Sequence, residues 1–267
     1  MSKNKLAIII ILILLGGWLG WEVRGILMQE AAREASSPEN SLAMSVRYIH
    51  EKDNFYNIQV EYPQFNKTDS DFNDKISSLI AEKIDSFKKA SKENYEARKE
   101  TAPPDNPVPE TPPQPFDFIA SWEPSQINDR YISFVIHMYY FVGGAHGANE
   151  IYTFNYDVQK KQEITISDFL NSSSSPQALE SLAQLANQDV TSQLESRGLQ
   201  VDDFLKEMIE QGTAAEINNY KNFTFNNNSL TIYFQQYQVA PGAAGSITVV
   251  LYRSTLDANS ISSNYLR

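Results

Sequence analysis

The chain has 267 residues, 42% of them hydrophobic and 12% aromatic, with a formal net charge of −11 and no cysteine. That is enough apolar material for a folded body with a real core, and the acidic balance argues against a nucleic-acid partner, whose phosphates need a basic face. Without cysteine there is no disulfide, no thiolate chemistry, no cysteine-held metal and no lipid-modified cysteine anchor.

Lys3 and Lys5 precede an uncharged run from Leu6 to Trp21. As a helix this run spans about 24 Å, short of the roughly 30 Å hydrocarbon core. Ile26-Leu27-Met28 extends the apolar length, and Trp18 and Trp21 stand where an interfacial belt would lie. Around Ala31, Ala32 and Ala35 the position three residues before a cut is Gln29, Glu30 or Arg33, poor for signal-peptide cleavage. Residues 1–28 therefore read as a retained single-pass membrane anchor in preference to a cleaved signal segment, which would leave the body secreted. Either way the lysine-bearing end stays in the cytoplasm and the body lies outside. Residues 29–45 are polar and small and read as a stalk.

From Val46 to Tyr62 the chain alternates at strand spacing until Pro63. Phe72, Ile76, Leu79, Ile80, Ile84 and Phe87 then form a helical stripe, with Asp69 or Asp71 as cap and Lys88, Lys89 and Lys92 toward its end. Residues 101–115 hold seven of the 12 prolines. They should be extended and exposed, and they mark a boundary between subdomains at 46–115 and 116–267. Strand patterns resume at 116–123, at 131–142 and around Tyr152, Phe154 and Tyr156. Ser172 to Ser175 with Pro176 open a helix carrying Leu179, Leu182, Ala186, Val190 and Leu194. Asp202-Asp203 cap a shorter helix closed by Gly212. Phe223 and Phe225, a turn at Asn226 to Asn228, and Leu230, Ile232 and Phe234 form a hairpin, and Ile247, Val249 and Leu251 form a last strand. The fold class is α+β: two small subdomains with mainly antiparallel sheets packed by helices, after an N-terminal membrane helix.

Chemistry is sparser. The turn Gly143-Gly144-Ala145-His146-Gly147 exposes backbone N–H groups that can hold an anion, and His146 can act as base or ligand. No helix follows it and it lacks phosphate-loop spacing, so a tight strand connection is the simpler reading. The three histidines never pair at i, i+3 or i, i+4, and His137, His146 and Asp157 make only a loose set. No metal or cofactor is expected. There is no Gly-x-Ser-x-Gly elbow and no spacing that selects a carboxylate pair, so no catalytic residue is assigned. In the string from Tyr237 to Gly245, small residues around Pro241 indicate a shaped loop. Tyr233 and Tyr237 can stack on a sugar or serve as half-buried sheet residues. The binding candidates are Gly143, Gly144, His146, Asp157, Tyr233, Tyr237 and Pro241.

Several strings act together over residues 55–257: Tyr62-Pro63, Asn73 ahead of Ile76, Gly143-Gly144-Ala145-His146, Asn155-Tyr156-Asp157, and Tyr237-x-Val239-Ala240-Pro241 with Gly245. This pattern resembles the extracytoplasmic domain of RsiV-type anti-sigma factors and PdaC-type wall deacetylases. The resemblance implies two joined α+β subdomains outside the membrane and, from the RsiV type, a receptor for lysozyme. Two departures stand out: only five residues precede Leu6 where RsiV-type proteins carry a sigma-binding segment, and the Asp/His metal motif of PdaC-type deacetylases is lacking. The expected function is a membrane-anchored binding or sensor module, facing cell-wall glycan or a wall-directed protein such as lysozyme. The alternative is a hydrolase or esterase of wall polysaccharide using His146 and a carboxylate, which requires His146 to share a pocket with a group such as Asp157.

Overall fold

The computed structural model describes residues 41–144, 146–170 and 175–266. The expected anchor at 1–28 and most of the stalk lie outside these residues. Among the described residues no helix is long and apolar enough to cross a membrane.

The alternating run from Val46 to Tyr62 is two strands, not one. β1 (Met44–Lys52) and β2 (Tyr56–Phe65) pair antiparallel. The Asp53 carboxylate closes the turn between them by accepting the N–H groups of Phe55 and Tyr56, each at 2.7 Å. Met44 and Ser45, expected in the stalk, are paired with Phe65 and Gln64. Pro63 does not stop β2, which runs on to Phe65. Its second neighbour, β3, has left by Val60, so Pro63 sits where the strand has a free side and its missing donor costs nothing.

α1 (Ser70–Thr101) starts where the Asp69 side chain accepts the Phe72 N–H at 3.0 Å. It continues well past the lysines to Thr101, two residues before Pro103, and Tyr95 extends the buried stripe. β3 (Phe116–Ile127) then returns to pair in parallel with β2, Tyr56 opposite Phe116 through Val60 opposite Ala120. A parallel pair needs a long crossover, and α1 with the proline-rich segment supplies it. The expected boundary at 115/116 thus falls inside one sheet. Prolines keep their own segment out of the ladder but do not prevent the strands on either side from meeting. The segment is mostly exposed yet fastened, with the Tyr95 hydroxyl donating to the Pro109 carbonyl at 2.8 Å and Val108 packed on the core.

β4 (Tyr131–Phe141), β5 (Ala148–Asp157) and the short β6 (Gln162–Glu163) complete a six-stranded sheet in the order β1-β2-β3-β4-β5-β6. α1 covers one face, where Ile76, Ile80 and Phe87 meet Ile58, Phe118, Phe134 and Phe154. A second cluster begins near Ile164. It lies between α2 (Ser175–Ser196), α3 (Asp203–Gly212) and a three-stranded sheet of β7 (Phe223–Phe225), β8 (Ser229–Phe234) and β9 (Ile247–Tyr252), followed by the short α4 (Arg253–Ala258). The α+β class with two sheets packed by helices is what the chain adopts. Among the described residues every pairing apart from β2 with β3 is antiparallel.

The two sheets meet through a polar seam. β7 and the turn after it run across the strands of the larger sheet, with Phe223 over β5, Phe225 over β4 and, in the turn, Asn227 over β3. Its edge groups are satisfied by side chains in a closed circuit. The Phe225 N–H donates to Ser133 Oγ (2.9 Å), and that hydroxyl donates to Asn155 Oδ1 (2.7 Å). Asn155 Nδ2 donates to the Phe223 carbonyl (2.8 Å), and the Phe223 N–H donates to Thr153 Oγ1 (3.0 Å). Ser133 and Asn155 are both buried, so water cannot replace a lost partner. Asn155→Ala should therefore destabilise the fold by about 1–3 kcal/mol. In a urea titration the midpoint should fall while the slope is unchanged.

Candidate functional site

The face of the large sheet opposite α1 is laid out in cross-strand rows. Ile119, Tyr139 and Asn149 form one row on β3, β4 and β5, and Ser121, His137 and Ile151 form the next. Further along the same strands come Val135 with Thr153, then Ser133 with Asn155, where β7 closes the face. At the other end the small sheet leaves the face uncovered. Between the two sheets opens a cleft of about 470 Å³, with Ile119, Ser121, His137, Tyr139 and Asn149 as floor and Ser246 and Thr248 as wall. Tyr233, the cross-strand partner of Thr248, stands half-buried at the inner end. Its ring meets His137 edge-on at 6.3 Å, its oxygen lies 3.2 Å from Thr224 Oγ1, and burial raises its pKa.

The turn and the loop singled out in the sequence come to the same open end. Gly143 and Gly144 take φ values of +88° and +116°, which favour glycine, so their role is the turn itself. His146 is exposed, and among the described residues its Nδ1 contacts only the neighbouring Gly147 carbonyl, at 2.9 Å. Gly147 has a different role: a Cβ there would overlap the Tyr139 ring, which lies directly on its backbone. Gly242 stands in the same relation to the ring of Tyr237. Pro241 is exposed and precedes the 3₁₀ turn Gly242–Ala244. The two loops are joined across β5, since the Asn149 N–H donates to Gln236 Oε1 (3.2 Å) and Gln236 Nε2 donates to the Gly242 carbonyl (3.0 Å). Beside them the Gln235 amide bonds both the N–H and the carbonyl of Ile151, occupying the edge of β5 as a strand would.

Asp157 does not belong to this site. It sits at the far end of β5, about 30 Å from the Gly143 turn at 3.3 Å per residue. There it is buried, accepting the N–H groups of Gln159 (3.1 Å) and Lys160 (2.9 Å) to shape the turn into β6. The three residues of the Asn155-Tyr156-Asp157 string serve three separate places. Asn155 joins the sheets, Asp157 forms a turn, and the Tyr156 oxygen accepts the Asp69 N–H at 3.2 Å beside the start of α1. Among the described residues no group of three or more His, Asp or Glu side chains is placed to hold a metal ion.

Charge near the cleft is self-compensated. Glu150, next to Asn149, bonds Lys83 of α1 at 2.7 Å and accepts the hydroxyls of Tyr152 (2.6 Å) and Tyr140 (3.0 Å). Burial acts to raise its pKa, but the hydrogen bonds from Lys83 and Tyr152, with the lysine charge, outweigh burial and hold the carboxyl below its ordinary value. Burial and the bond to Glu150 push Tyr152 up to about 12. The cluster fastens α1 to β5, and nothing in it is poised as a base or nucleophile. A carboxyl lowered on folding stabilises the fold above its unfolded pKa, and the contribution fades as pH falls through the folded value. The difference in urea midpoint between the native chain and Glu150→Gln should be largest near neutral pH and shrink below about 4.5, the ordinary glutamate value. Parallel titrations at pH 7 and pH 3.5 measure it.

Comparison with known proteins follows the same division as the two cores. A family model described as Deacetylase PdaC matches residues 49–149, and one described as Protein of unknown function (DUF3298) matches residues 167–254. The peptidoglycan-N-acetylmuramic acid deacetylase PdaC of Bacillus subtilis strain 168 is 26% identical over 201 residues, covering 75% of this chain and 38% of that protein. The chain thus spans well under half the length of this relative. A crystal structure of a DUF3298 family member from Bacteroides fragilis superposes with a TM-score of 0.57 at 13% identity, covering 85% of this chain and 96% of that one. One from Pseudomonas aeruginosa PAO1 gives 0.46 at 13% identity. The Bacteroides likeness carries fold alone. With both family models in tandem over the folded body and the curated relative spanning the two, the chain resembles proteins of the PdaC/DUF3298 type.

Proposed function

We propose that the folded body is a binding module of the cell envelope, held outside the membrane by an anchor within residues 1–28 and directed at the wall glycan. The observation that carries this reading is the cleft between the sheets. It is open, mixes apolar surface with uncharged polar side chains, and through Asn149 is hydrogen-bonded to Gln236 beside the second signature loop. The relative's printed substrate, a peptidoglycan sugar, supports a wall address. The geometry lends nothing to a hydrolase or esterase built on His146, because Asp157 lies at the other end of β5 and, among the described residues, the one polar contact of the imidazole is the adjacent backbone. A basic wall-directed protein such as lysozyme is the second candidate partner, favoured by the net charge of −11.

Full-length protein in mild detergent, sedimented with purified peptidoglycan, should be retained at both 50 mM and about 300 mM salt, because a neutral contact is little screened. His146→Ala should be retained equally. Absence of retention at low salt, with lysozyme capture in its place, would transfer the assignment to the protein partner.

A further inference from the structure

Two exposed tyrosines stand at the open end of the cleft, Tyr139 in its floor and Tyr237 in the loop joined to that floor through Gln236. Tyr139 is 38% exposed and Tyr237 is 56% exposed. Neither phenolic oxygen makes a hydrogen bond to any described residue. Yet neither ring is loose, because each packs its phenolic end against a glycine backbone, Tyr139 on Gly147 and Tyr237 on Gly242. The backbone of Tyr237 is also strained, with φ at +70°. For a bulky side chain that conformation costs about 1–2 kcal/mol and persists only where the surroundings impose it. Here they do. The Gln238 N–H donates to the Gln235 carbonyl (3.0 Å), the Gln235 N–H to Gln238 Oε1 (3.1 Å), and Gln238 Nε2 to the carbonyls of Gly212 (3.2 Å) and Asn219 (3.1 Å). The turn is pinned from both sides, and the effect is to hold an aromatic ring in solvent. The two platforms are linked, since Tyr139 is the cross-strand partner of Asn149, whose N–H reaches Gln236, which in turn holds Gly242.

The polar groups between the platforms are equally unspent. The side chains of Ser121, His137, Asn149 and Thr248 line the cleft and make no hydrogen bond to any described residue. No lysine or arginine lines it, and the one carboxylate, Glu150, is bonded to Lys83. A polyanion would find no cation here and a polycation no free acid. A ring with one apolar face and a rim of hydroxyl or amide groups would satisfy both the aromatic faces and the unspent donors and acceptors.

We propose that Tyr139 and Tyr237 are paired stacking platforms of a site for neutral pyranose units, with Ser121, His137, Asn149 and Thr248 making the polar contacts. This rests on the glycan-binding reading above and names its site. The test measures sedimentation with peptidoglycan and calorimetric titration with chitotetraose, using the full-length protein in detergent. Tyr139→Ala and Tyr237→Ala should each weaken binding about tenfold with unchanged circular dichroism. Tyr139→Phe and Tyr237→Phe should bind as the native chain does, because the faces remain and the hydroxyls have no partner. Gly147→Ala should weaken binding by displacing the Tyr139 ring. If the native chain binds glycan and both Ala variants bind equally well, the site is wrong and the module reading stands. Native binding to polygalacturonate as tight as to chitotetraose would overturn the preference for neutral rings, and failure of the native chain to bind any glycan would overturn both readings.

Discussion

The arrangement of the molecule depends on how one short strand ends its hydrogen bonding. β7 has three residues and one strand neighbour, so its other edge presents backbone groups with nowhere to go. Standing across the larger sheet, it cannot join the ladder of that sheet. Side chains of the appropriate length take the place of a ladder: a serine, an asparagine and a threonine on adjacent strands reach the groups at Phe223 and Phe225. Stranding any one of them in a dry interface costs more than the bond itself contributes. The seam thus sets the angle between the sheets, and the cleft exists because that angle opens away from it.

A single sheet face therefore has two characters. At the Ser133 and Asn155 end its polar groups are consumed in joining the halves, while at the Tyr139 and Asn149 end the same kinds of side chain are left without partners. The difference follows from distance along the strands, not from residue type. Glycines at the open end permit aromatic rings to lie on the backbone, which presents them without burying them.

Much of the local structure was legible in the residues. The Asp69 and Asp202 caps, the buried stripes of α1 and α2, and the Asn226 turn are short-range patterns with short-range causes. What escaped was decided by distant neighbours. Pro63 is tolerated because β3 departs, and the proline-rich segment is a crossover because β2 and β3 meet around it. Asp157 looked like a companion of His146 in a string of signature residues, but ten residues of strand carry it to the opposite end. Alternation reveals that successive residues face opposite ways without revealing which layer each meets, so Asn155, Tyr156 and Asp157 could not be apportioned beforehand. The exposed tyrosines were half legible. Tyr237 stood out in its loop, whereas Tyr139 was hidden in an apolar run, and its only signal was the glycine eight residues later that receives its ring.

The Gln235 amide, hydrogen-bonded to both the N–H and the carbonyl of Ile151, has a consequence for how copies of this chain meet. Along that stretch β5 has no strand beyond it, and an uncovered edge invites a stranger's backbone. One planar amide reproduces the donor and acceptor of a missing strand without its length, and so plugs the edge. Among the described residues β1 lines the opposite border of the sheet, and its charged residues Arg47, Glu51 and Lys52 discourage a flat, hydrophobic match. Molecules crowded side by side can thus remain separate, each sheet sealed at one margin by a side chain and guarded at the other by charge.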